Sequence, residues 1–576
     1  MLKRTVWELD RQEATATGGM VAAKTAAAAE AGTATLRSGG NAIDAAVVTA
    51  FAAAVAEPWM NGLGGGGYLV AYLPAERRAV TVAYPMLAPA GATETMFPLA
   101  GTGVDSALFG WPAVVDNANV VGHRAVGVPG TVAGLALALE RFGTISFAEA
   151  LEPAIRLAEE GVPVTWHTTL TIARDLANLR RFPATAAIFC PDGLPPTTLE
   201  QANPTILRQP DLAQTLRLLA SEGPRAFYEG PLAHRIVDHL QEGGANFTLE
   251  DLSRYTATVT VALETAYRDH QVHTIGGGTG GTTLVEALNL LTASAPARAE
   301  EHNSPATLHR MAQAFRLAFA DRFAYMADPA MVDVPLTALT SDSYARERAN
   351  QIDTGTLKSH CAGSRNRLGV THTLASSAPD YTTGGSTTHL SVVDSKGMAV
   401  SLTQTLLSLW GSRVVVPGTG ILLNNGMMWF DPEPGRPNSI AGGKFPLSNM
   451  APVILTRDGR VVASLGASGG RRIMNCNVQL IRNLVEFGMS IQPAISAPRV
   501  DASTADLLVS ARLPVATTES LQELGHRVAV RREDRFLGDF GSPVGIQVAS
   551  DGSLRGGADP YYEPATALGI GTEGDS

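Results

Sequence analysis

The sequence predicts an α+β fold in which helices cover layers of β-sheet. Residues 45–56 are uncharged and almost wholly apolar, and a helix that is apolar on every side must lie between other layers. Helical patterns dominate residues 127–260, whereas a run of segments with strand patterns follows residue 386. This separation of helices from strands is more typical of an α+β protein than of a simple βαβ series.

Local signals place the individual elements. The Ala-rich residues 19–38 favour a helix that Gly39 and Gly40 end, and Asn41 is a suitable N-cap for a second helix reaching Ala56, with Asp44 in its first turn. Further helices are predicted at 131–142, 147–161, 305–327 and 471–487, and strands at 67–73, 79–84, 387–394, 398–406, 413–416, 452–456 and 461–465. Residues 354–386 are rich in Ser, Thr, Gly and Ala, which predicts an exposed and mobile segment.

The composition disfavours several classes of partner. The 576 residues carry 44 Lys and Arg against 54 Asp and Glu, a net charge of −10, so no basic surplus is available for nucleic acid. Cys190, Cys361 and Cys476 are an odd number of thiols far apart in sequence, so we expect no disulfide framework, no metal site and no cofactor.

The apolar segments are short. The longest uncharged apolar run, residues 45–56, falls below the roughly 20 residues that span a bilayer, so we expect no membrane partner. Charged residues interrupt the first ten positions, which disfavours a signal peptide. These features predict a cytoplasmic protein, and they leave its oligomeric state open.

Three glycine-rich segments are candidate ligand or catalytic loops. Residues 62–67 match GxGxxG but precede a strand, and residues 276–281 precede a helix but lack an acidic ribose partner, so a packing role is favoured for both over a dinucleotide site. Residues 466–470 match GxSxG after a strand and before a helix. An α/β-hydrolase nucleophile elbow has this layout, with Ser468 as nucleophile, Asp501 or Asp506 as acid and His526 as base. The same turn also suits an oxyanion hole.

The segment that begins at Thr387 is the strongest chemical signal. Residues 387–394 alternate cleanly, residues 394–397 form a turn tetrapeptide, and residues 398–405 return as a second strand. In the resulting antiparallel register Thr387 faces Thr405, and opposed residues have Cβ atoms about 4.5–5.5 Å apart. Cleavage before Thr387 would free an α-amine with a pKa near 8, which can act as base for the hydroxyl of the same residue. A Thr-Thr pair on a strand is otherwise common β-propensity.

At these residues the sequence resembles the γ-glutamyltranspeptidase family of N-terminal-nucleophile hydrolases, and the resemblance covers nearly the whole chain. The motifs that carry it are GGNAIDAA at 39–46, Glu57-Pro58, GLGGGG at 62–67, VPGTVAG at 128–134, ADR at 320–322, TTH at 387–389, PGTGILLNN at 417–425, PLSNMAP at 446–452 and Gly469-Gly470.

The resemblance implies a four-layer αββα sandwich made as one inactive precursor. Self-cleavage of the Ser386–Thr387 bond would give a large subunit, residues 1–386, and a small subunit, residues 387–576, that together form one sandwich domain. Thr387 would be the nucleophile, Thr405 would hold its amine, and Gly469 and Gly470 would supply oxyanion N–H groups. The substrate would be a small-molecule amide.

The sequence departs from the family where typical members bind the glutamyl group. Residues 84–89 read YPMLAP, without the Arg that binds the α-carboxylate, and residues 426–429 read GMMW, without the acidic residue that binds the α-amine. Ser448 and Asn449 stand where the family has paired serines, and Leu407 replaces a polar residue. Trp429, Met428, Leu407 and Trp410 would then form an apolar pocket. Residues 417–425 and 430–436 look especially like the cephalosporin-acylase-like branch of the family. True γ-glutamyl transfer remains the alternative within the family, provided that Arg413 or Arg471 replaces the missing Arg.

Overall fold

Two seven-stranded antiparallel sheets lie face to face at the centre of the protein. The computed structural model describes residues 9–104, 110–200, 202–353, 355–358, 360–368, 370, 386–534 and 538–571. The strands of the described residues are β1 (Ala14–Ala16), β2 (Gly19–Ala23), β3 (Gly66–Leu73), β4 (Arg78–Tyr84), β5 (Leu99–Val104), β6 (Pro112–Val114), β7 (Val162–Pro163), β8 (Ile206–Leu207), β9 (Thr258–Val261), β10 (Leu263–Tyr267), β11 (His270–Thr274), β12 (Thr388–Asp394), β13 (Ala399–Thr405), β14 (Val453–Arg457), β15 (Arg460–Ser468), β16 (Val500–Asp501), β17 (Leu507–Ser510), β18 (Val528–Arg531), β19 (Ser542–Val548), β20 (Leu554–Ala558) and β21 (Thr566–Ile570).

Helices account for most of the remaining regular structure. They are α1 (Ala26–Arg37), α2 (Ala42–Ala56), α3 (Thr131–Phe142), α4 (Phe147–Glu160), α5 (Trp166–Leu179), α6 (Pro183–Phe189), α7 (Pro210–Glu222), α8 (Gly230–Glu242), α9 (Leu249–Ser253), α10 (Gly280–Ala293), α11 (Pro305–Tyr325), α12 (Leu336–Leu339), α13 (Asp342–Ala349), α14 (Arg365–Leu368), α15 (Arg472–Val485), α16 (Ile491–Ser496) and α17 (Val515–Glu523). Short 3₁₀ helices span Val115–Asn117, His123–Ala125, Pro224–Phe227 and Gly426–Trp429. Within the described ranges, no helix is both long and apolar enough to cross a bilayer.

The layers follow the order helix, sheet, sheet, helix. One sheet has the order β1-β20-β19-β15-β14-β11-β10, and the other has the order β21-β2-β12-β13-β3-β4-β9. Apolar residues from both sheets, such as Val70, Val393, Ile454 and Ile546, form the core between them. Helices α2, α3 and α4 cover one outer face and helices α10, α11 and α15 cover the other. The predicted αββα sandwich is therefore confirmed.

The second sheet combines strands from both sides of residue 387. Strands β2, β3, β4 and β9 precede that residue, whereas β12, β13 and β21 follow it. Strand β12 pairs with β2 on one side and β13 on the other, and both are antiparallel to it. The start of β12 is therefore held inside the sheet, and a cut before it would leave these pairings in place.

Several predicted elements differ from the structure. Residues 19–23 form strand β2 and only Ala26 onward is helical, because β2 pairs with both β12 and β21 and this pairing overrides helix propensity. Residues 413–416 were expected to form a strand but make only an isolated bridge, between Val415 and Leu422. Asn41 is the N-cap of α2 in a full capping box with Asp44, as predicted.

The segment 354–386 is only partly described. Residues 354, 359, 369 and 371–385 lie outside the described residues, so the prediction of a mobile segment is not tested there. The described part is not a wholly exposed linker. The Gly363 N–H donates to buried Asp321 at 2.6 Å, and Leu368 and Val370 are buried.

Candidate active site

The β12–β13 hairpin has the register that the sequence predicts. Thr388 pairs with Gln404, and His389 pairs with Thr403. The Asp394 carboxylate closes the turn by accepting the N–H groups of Lys396 at 2.9 Å and of Met398 at 3.0 Å. This register brings Thr387 opposite Thr405 at the end of the hairpin.

Thr387 and Thr405 are buried side by side. Their Oγ1 atoms lie 3.4 Å apart, and each residue is only 1% exposed. The Thr387 hydroxyl also contacts the carbonyl oxygen of Ser386. Thr405 Oγ1 accepts the N–H of Leu407 at 2.8 Å, which fixes its orientation. The predicted nucleophile is thus in contact with both its predicted partner and the predicted scissile peptide.

A segment just before the first glycine loop holds the start of β12. The Thr387 N–H donates to Met60 Sδ at 3.4 Å, and Thr388 Oγ1 donates to Glu57 Oε2 at 2.5 Å. Burial raises the pKa of Glu57 to about 7, although hydrogen bonds from Thr388 and Tyr562 and the charge of Lys24 lower it. The sequence contained Glu57 as part of a motif, but nothing in the local pattern assigned roles to Glu57 or Met60.

The glycine loops permit close backbone packing, which is the role favoured for them from the sequence. A Cβ at Gly65 would lie 2.4 Å from the Thr405 carbonyl oxygen, and one at Gly64 would lie 2.3 Å from that of Leu422. A Cβ at Gly280, in the second loop, would lie 2.4 Å from the Asn449 carbonyl oxygen. Only glycine fits such contacts without displacing backbone.

Gly469 and Gly470 form the turn between β15 and α15. Their φ angles are 132° and 60°, which favour glycine. Gly469 lines a cavity of about 540 Å³ together with Ser386. The first N–H groups of α15, those of Arg472 and Ile473, donate to the carbonyl oxygens of Gly469 and Gly470 at 3.3 and 3.2 Å, so the donors that this turn could offer at the cavity are the N–H groups of the glycines themselves. Their role as the oxyanion hole stays a prediction.

Ser448 and Asn449 are held by a buried arginine. Arg322 donates to the Ser448 carbonyl oxygen at 2.6 Å and to Asn449 Oδ1 at 3.0 Å. Burial and the nearby charge of Arg471 lower the pKa of Arg322 to about 9. Neither Ser448 nor Asn449 is among the residues that line the cavity, so their substrate-binding role stays a prediction.

The predicted apolar pocket residues are packed in the protein core. Leu407, Met428 and Trp429 belong to one buried cluster with Met86, and Trp410 packs against Trp59. None of the four predicted pocket residues lines the cavity. They fill the region in which a glutamyl head group was expected to bind, and the open space lies on the side of Ser386 and Gly469.

The α/β-hydrolase alternative built on Ser468 is wrong. Ser468 ends β15, which pairs antiparallel with both neighbours, and its hydroxyl donates to the Ser542 carbonyl oxygen at 3.3 Å. His526 Nε2 lies 2.7 Å from His309 Nδ1, and Asp501 accepts from the hydroxyl of Ser503 at 2.6 Å. Asp506, the other candidate acid, forms an ion pair with Arg527. The proposed acid and base are therefore engaged elsewhere.

Comparison with known proteins identifies the family. Residues 28–568 match the gamma-glutamyltranspeptidase family. The chain belongs to the γ-glutamyltranspeptidase family. Among curated members of this family, Acylase ACY 1 proenzyme from Pseudomonas sp. (strain V22) is 37% identical and covers 95% of this chain and 93% of that protein. Glutathione hydrolase proenzyme from Escherichia coli (strain K12) is 34% identical and covers 94% of this chain and 90% of that protein.

Solved structures of γ-glutamyltranspeptidase relatives show the same fold. The crystal structure of cephalosporin acylase from Bacillus halodurans has a TM-score of 0.84 and 27% identity, and the alignment covers 99% of each chain. This chain therefore has the N-terminal-nucleophile hydrolase fold, and it is an enzyme of the γ-glutamyltranspeptidase family.

Proposed function

We propose that this enzyme is a self-processing amidase whose nucleophile is Thr387. The observation that carries the proposal is the contact of the Thr387 hydroxyl with the Ser386 carbonyl oxygen and its 3.4 Å separation from Thr405 Oγ1. In processing, Thr387 Oγ1 attacks the Ser386 carbonyl carbon, and the Ser386–Thr387 amide bond breaks. The nitrogen takes up a proton as the new α-amine, and water then hydrolyses the ester that links the two subunits.

Turnover reuses the same groups. The free α-amine, with a pKa near 8, takes the hydroxyl proton of Thr387 as it attacks an amide carbonyl. N–H groups of Gly469 and Gly470 stabilise the oxyanion, since donors at such a turn act in a site with little water. The amine of the substrate leaves with the proton, and the acyl ester on Thr387 passes to water or to an acceptor amine.

Cleavage at Ser386–Thr387 is tested on a denaturing gel. The purified protein should give fragments of about 40 and 20 kDa from its 60.2 kDa, and the small one should begin at Thr387. Thr387→Ala should remain one chain, whereas Ser468→Ala, as the matched control, should be cleaved. A small fragment that begins at another residue would refute the assignment of the nucleophile.

We further propose that the acyl group lacks an α-amino-acid head. The two arginines named above as possible replacements for the missing Arg already have partners. Arg413 pairs with Asp175 at 2.6 Å, and the Arg471 guanidinium lies 4.8 Å from the ring centroid of Phe323. A buried carboxylate and ammonium need charged partners, and losing two charge-assisted hydrogen bonds costs roughly 3–6 kcal/mol, or about 10²–10⁴-fold in kcat/KM.

The substrate proposal is tested with matched anilides. We expect kcat/KM for γ-glutamyl-p-nitroanilide to fall below that for glutaryl-p-nitroanilide or a simple acyl anilide. The identity to a glutathione hydrolase, 34%, supports γ-glutamyl turnover as the second candidate. A tenfold preference for the γ-glutamyl compound would establish that candidate and refute the loss of the amino-acid clamp.

A further inference from the structure

A buried carboxylate lies directly behind the start of β12. Glu57 follows α2 as its C-cap and is fully buried. Its Oε2 accepts from Thr388 Oγ1 at 2.5 Å, and its Oε1 accepts from the hydroxyl of Tyr562. Burial and the carbonyl end of the helix disfavour the ionised carboxylate, whereas these two hydrogen bonds and, to a smaller extent, a nearby positive charge favour it.

A buried lysine supplies that charge from the other side of Tyr562. Lys24 is 1% exposed, and its Nζ donates to the carbonyl oxygen of Ser542 at 3.0 Å and contacts the Ser542 hydroxyl. These two partners are uncharged. The Nζ atom also lies 4.0 Å from the ring centroid of Tyr562, a cation–π distance.

Tyr562 joins the two charges. Its ring face receives the Lys24 cation, its hydroxyl donates to Glu57, and the Trp59 Nε1–H donates to the same hydroxyl at 3.2 Å. Tyr562 also lines the cavity that contains Ser386. Lys24 thus lies on the ring face of Tyr562 and Glu57 lies at its hydroxyl, and the ring belongs to the wall of the cavity.

We propose that Glu57, Tyr562 and Lys24 are positioning residues for the reaction of Thr387. The Glu57 carboxylate holds Thr388 and so fixes the adjacent Thr387, while Lys24 favours the ionised form of Glu57. This inference rests on the proposed role of Thr387 as nucleophile.

The charges around Glu57, Tyr562 and Lys24 determine how the proposed positioning of Thr387 depends on pH. Burial raises the pKa of Glu57 to about 7, and Lys24 opposes that shift. Burial lowers the pKa of Lys24 to about 8. The charges of Asp559 and Glu57 oppose this lowering, whereas the charge of Arg11 lowers the pKa slightly further. Burial and the Lys24 charge lower the pKa of His167, whose ring packs on Tyr562, to about 4.

These directions determine the sign of the effect. Burial raises the pKa of the Tyr562 hydroxyl far above its usual range, so Tyr562 stays a donor. His167 stays neutral near pH 7. As the pH falls through about 7, Glu57 takes up a proton and its bond to Thr388 weakens, so the reactivity of Thr387 falls with the pH.

The test uses the self-cleaved protein with both subunits present. It measures the rate of acylation by p-nitrophenyl acetate between pH 5.5 and 9.5, with Thr387→Ala as the blank. For the unsubstituted protein, the logarithm of the rate should fall with a slope greater than 1 at low pH, because protonation of Glu57 slows the reaction in addition to protonation of the α-amine. Glu57→Gln should fall with a slope of 1. Lys24→Met should move the part of the profile that reports Glu57 to higher pH, because it removes a nearby opposite charge, and Lys24→Arg should restore it.

Two further variants separate this role from a purely structural one. Thr388→Val keeps the shape and Glu57 but removes the bond, so it should also give a slope of 1, and it replaces Glu57→Gln if that variant does not fold. Lys444 is the matched control: it is also buried, burial lowers its pKa to about 8, and it donates to the carbonyl oxygens of Pro437 and Ser439. Lys444→Met should leave the pH profile unchanged.

The outcomes are distinct. Profiles of Glu57→Gln, Thr388→Val and Lys24→Met that match the unsubstituted protein after scaling by a constant would overturn the positioning role. A protein that does not cleave at Thr387, or a Thr387→Ala variant that is acylated at the same rate, would instead overturn the proposed function.

Discussion

The hydroxyl of Thr405 lies between Thr387, the proposed nucleophile, and a strained turn. Its Oγ1 accepts the N–H of Leu407 at 2.8 Å and lies 3.4 Å from Thr387 Oγ1. Leu407 has a φ angle of 97°, a conformation that costs a non-glycine residue about 1–3 kcal/mol. The strained residue donates the hydrogen bond that orients Thr405, so the strained turn contributes to the placement of the Thr405 hydroxyl beside that of Thr387.

Replacement of Thr405 by Ala should slow both self-cleavage and turnover by about 10–100-fold. The physical reason is the loss of a positioned hydrogen-bond partner, which costs about 1–3 kcal/mol. Thr405→Ser keeps the hydroxyl and should retain most of the rate. The measurements are the rate of fragment appearance on gels and kcat for an anilide substrate. Equal losses for Ala and Ser would show that the methyl packing of Thr405 matters and the hydroxyl does not.

Helices and strands could be predicted where the residues that determine them lie close together in the sequence. The hairpin register follows from a period of two and a turn tetrapeptide, and the start of α2 follows from Asn41 and Asp44 in one capping box. Strand β2 was not predictable, because its partners β12 and β21 lie more than 360 residues further along the chain. Without knowledge of that pairing, the alanines in this part of the sequence predict a helix.

The same distinction separates the residues of the site. Thr387 and Thr405 belong to one hairpin, so their contact could be predicted from the register. Glu57 reaches Thr388 across 331 positions in sequence, and Met60 reaches Thr387 across 327. These contacts depend on how the glycine loop packs under the hairpin, which a single sequence does not encode locally.

Gly466, on β15 of one central sheet, faces the ring of His389, on β12 of the other sheet. The His389 ring is fully buried, with Nδ1 2.8 Å from Thr403 Oγ1, and burial and the Lys24 charge lower its pKa to about 3, so it is neutral. A Cβ at Gly466 would lie 2.3 Å from His389 Cε1. Strand β15 therefore needs glycine at this position to let β12 keep its place.

Gly466→Ala should destabilise the protein by about 1–3 kcal/mol, the usual cost of overpacking a core. It should also slow self-cleavage, since His389 is two residues from Thr387. The matched control is Gly276→Ala, whose Cβ would meet only Leu263 at 3.5 Å, an ordinary contact. Thermal unfolding and the fraction cleaved after expression are the measurements. A Gly466→Ala protein as stable as the control would mean that the sheets can separate here without cost.

A cluster of three histidines, of which two are buried and one is partly exposed, lies between the two predicted subunits. Nδ1 of His309, on α11, lies 2.7 Å from Nε2 of His526, which follows α17. His360 lies near His526. In the same segment as His360, the Leu357 N–H donates to the Leu524 carbonyl oxygen at 2.8 Å. Burial is the main cause that lowers the pKa of His526 to about 3 and that of His360 to about 4, and the charge of Arg316 adds to both shifts. Asp353 opposes the lowering for His309. The assembled molecule thus requires these rings to be neutral.

The cluster should make the assembled protein sensitive to acid. Its histidines have folded pKa values below the unfolded value of about 6.5, so their contribution to stability is complete above pH 6.5 and is lost as the pH falls toward the folded values. For His526 and His360 the contribution to stability therefore falls between about pH 6.5 and pH 5. His526→Gln should therefore flatten the fall in the free energy of unfolding between pH 7 and pH 5, measured in urea titrations. Groups such as Glu57 contribute equally to the pH dependence of unfolding in both proteins, so their effects cancel in the comparison.

The control is His239→Gln, in a second pair where His239 Nε2 lies 3.2 Å from His123 Nε2 and both rings are only partly buried. That variant should change the slope much less, because solvent screens the added charge. Parallel curves for His526→Gln and the unsubstituted protein would show that the cluster takes up protons without penalty and does not control the assembly.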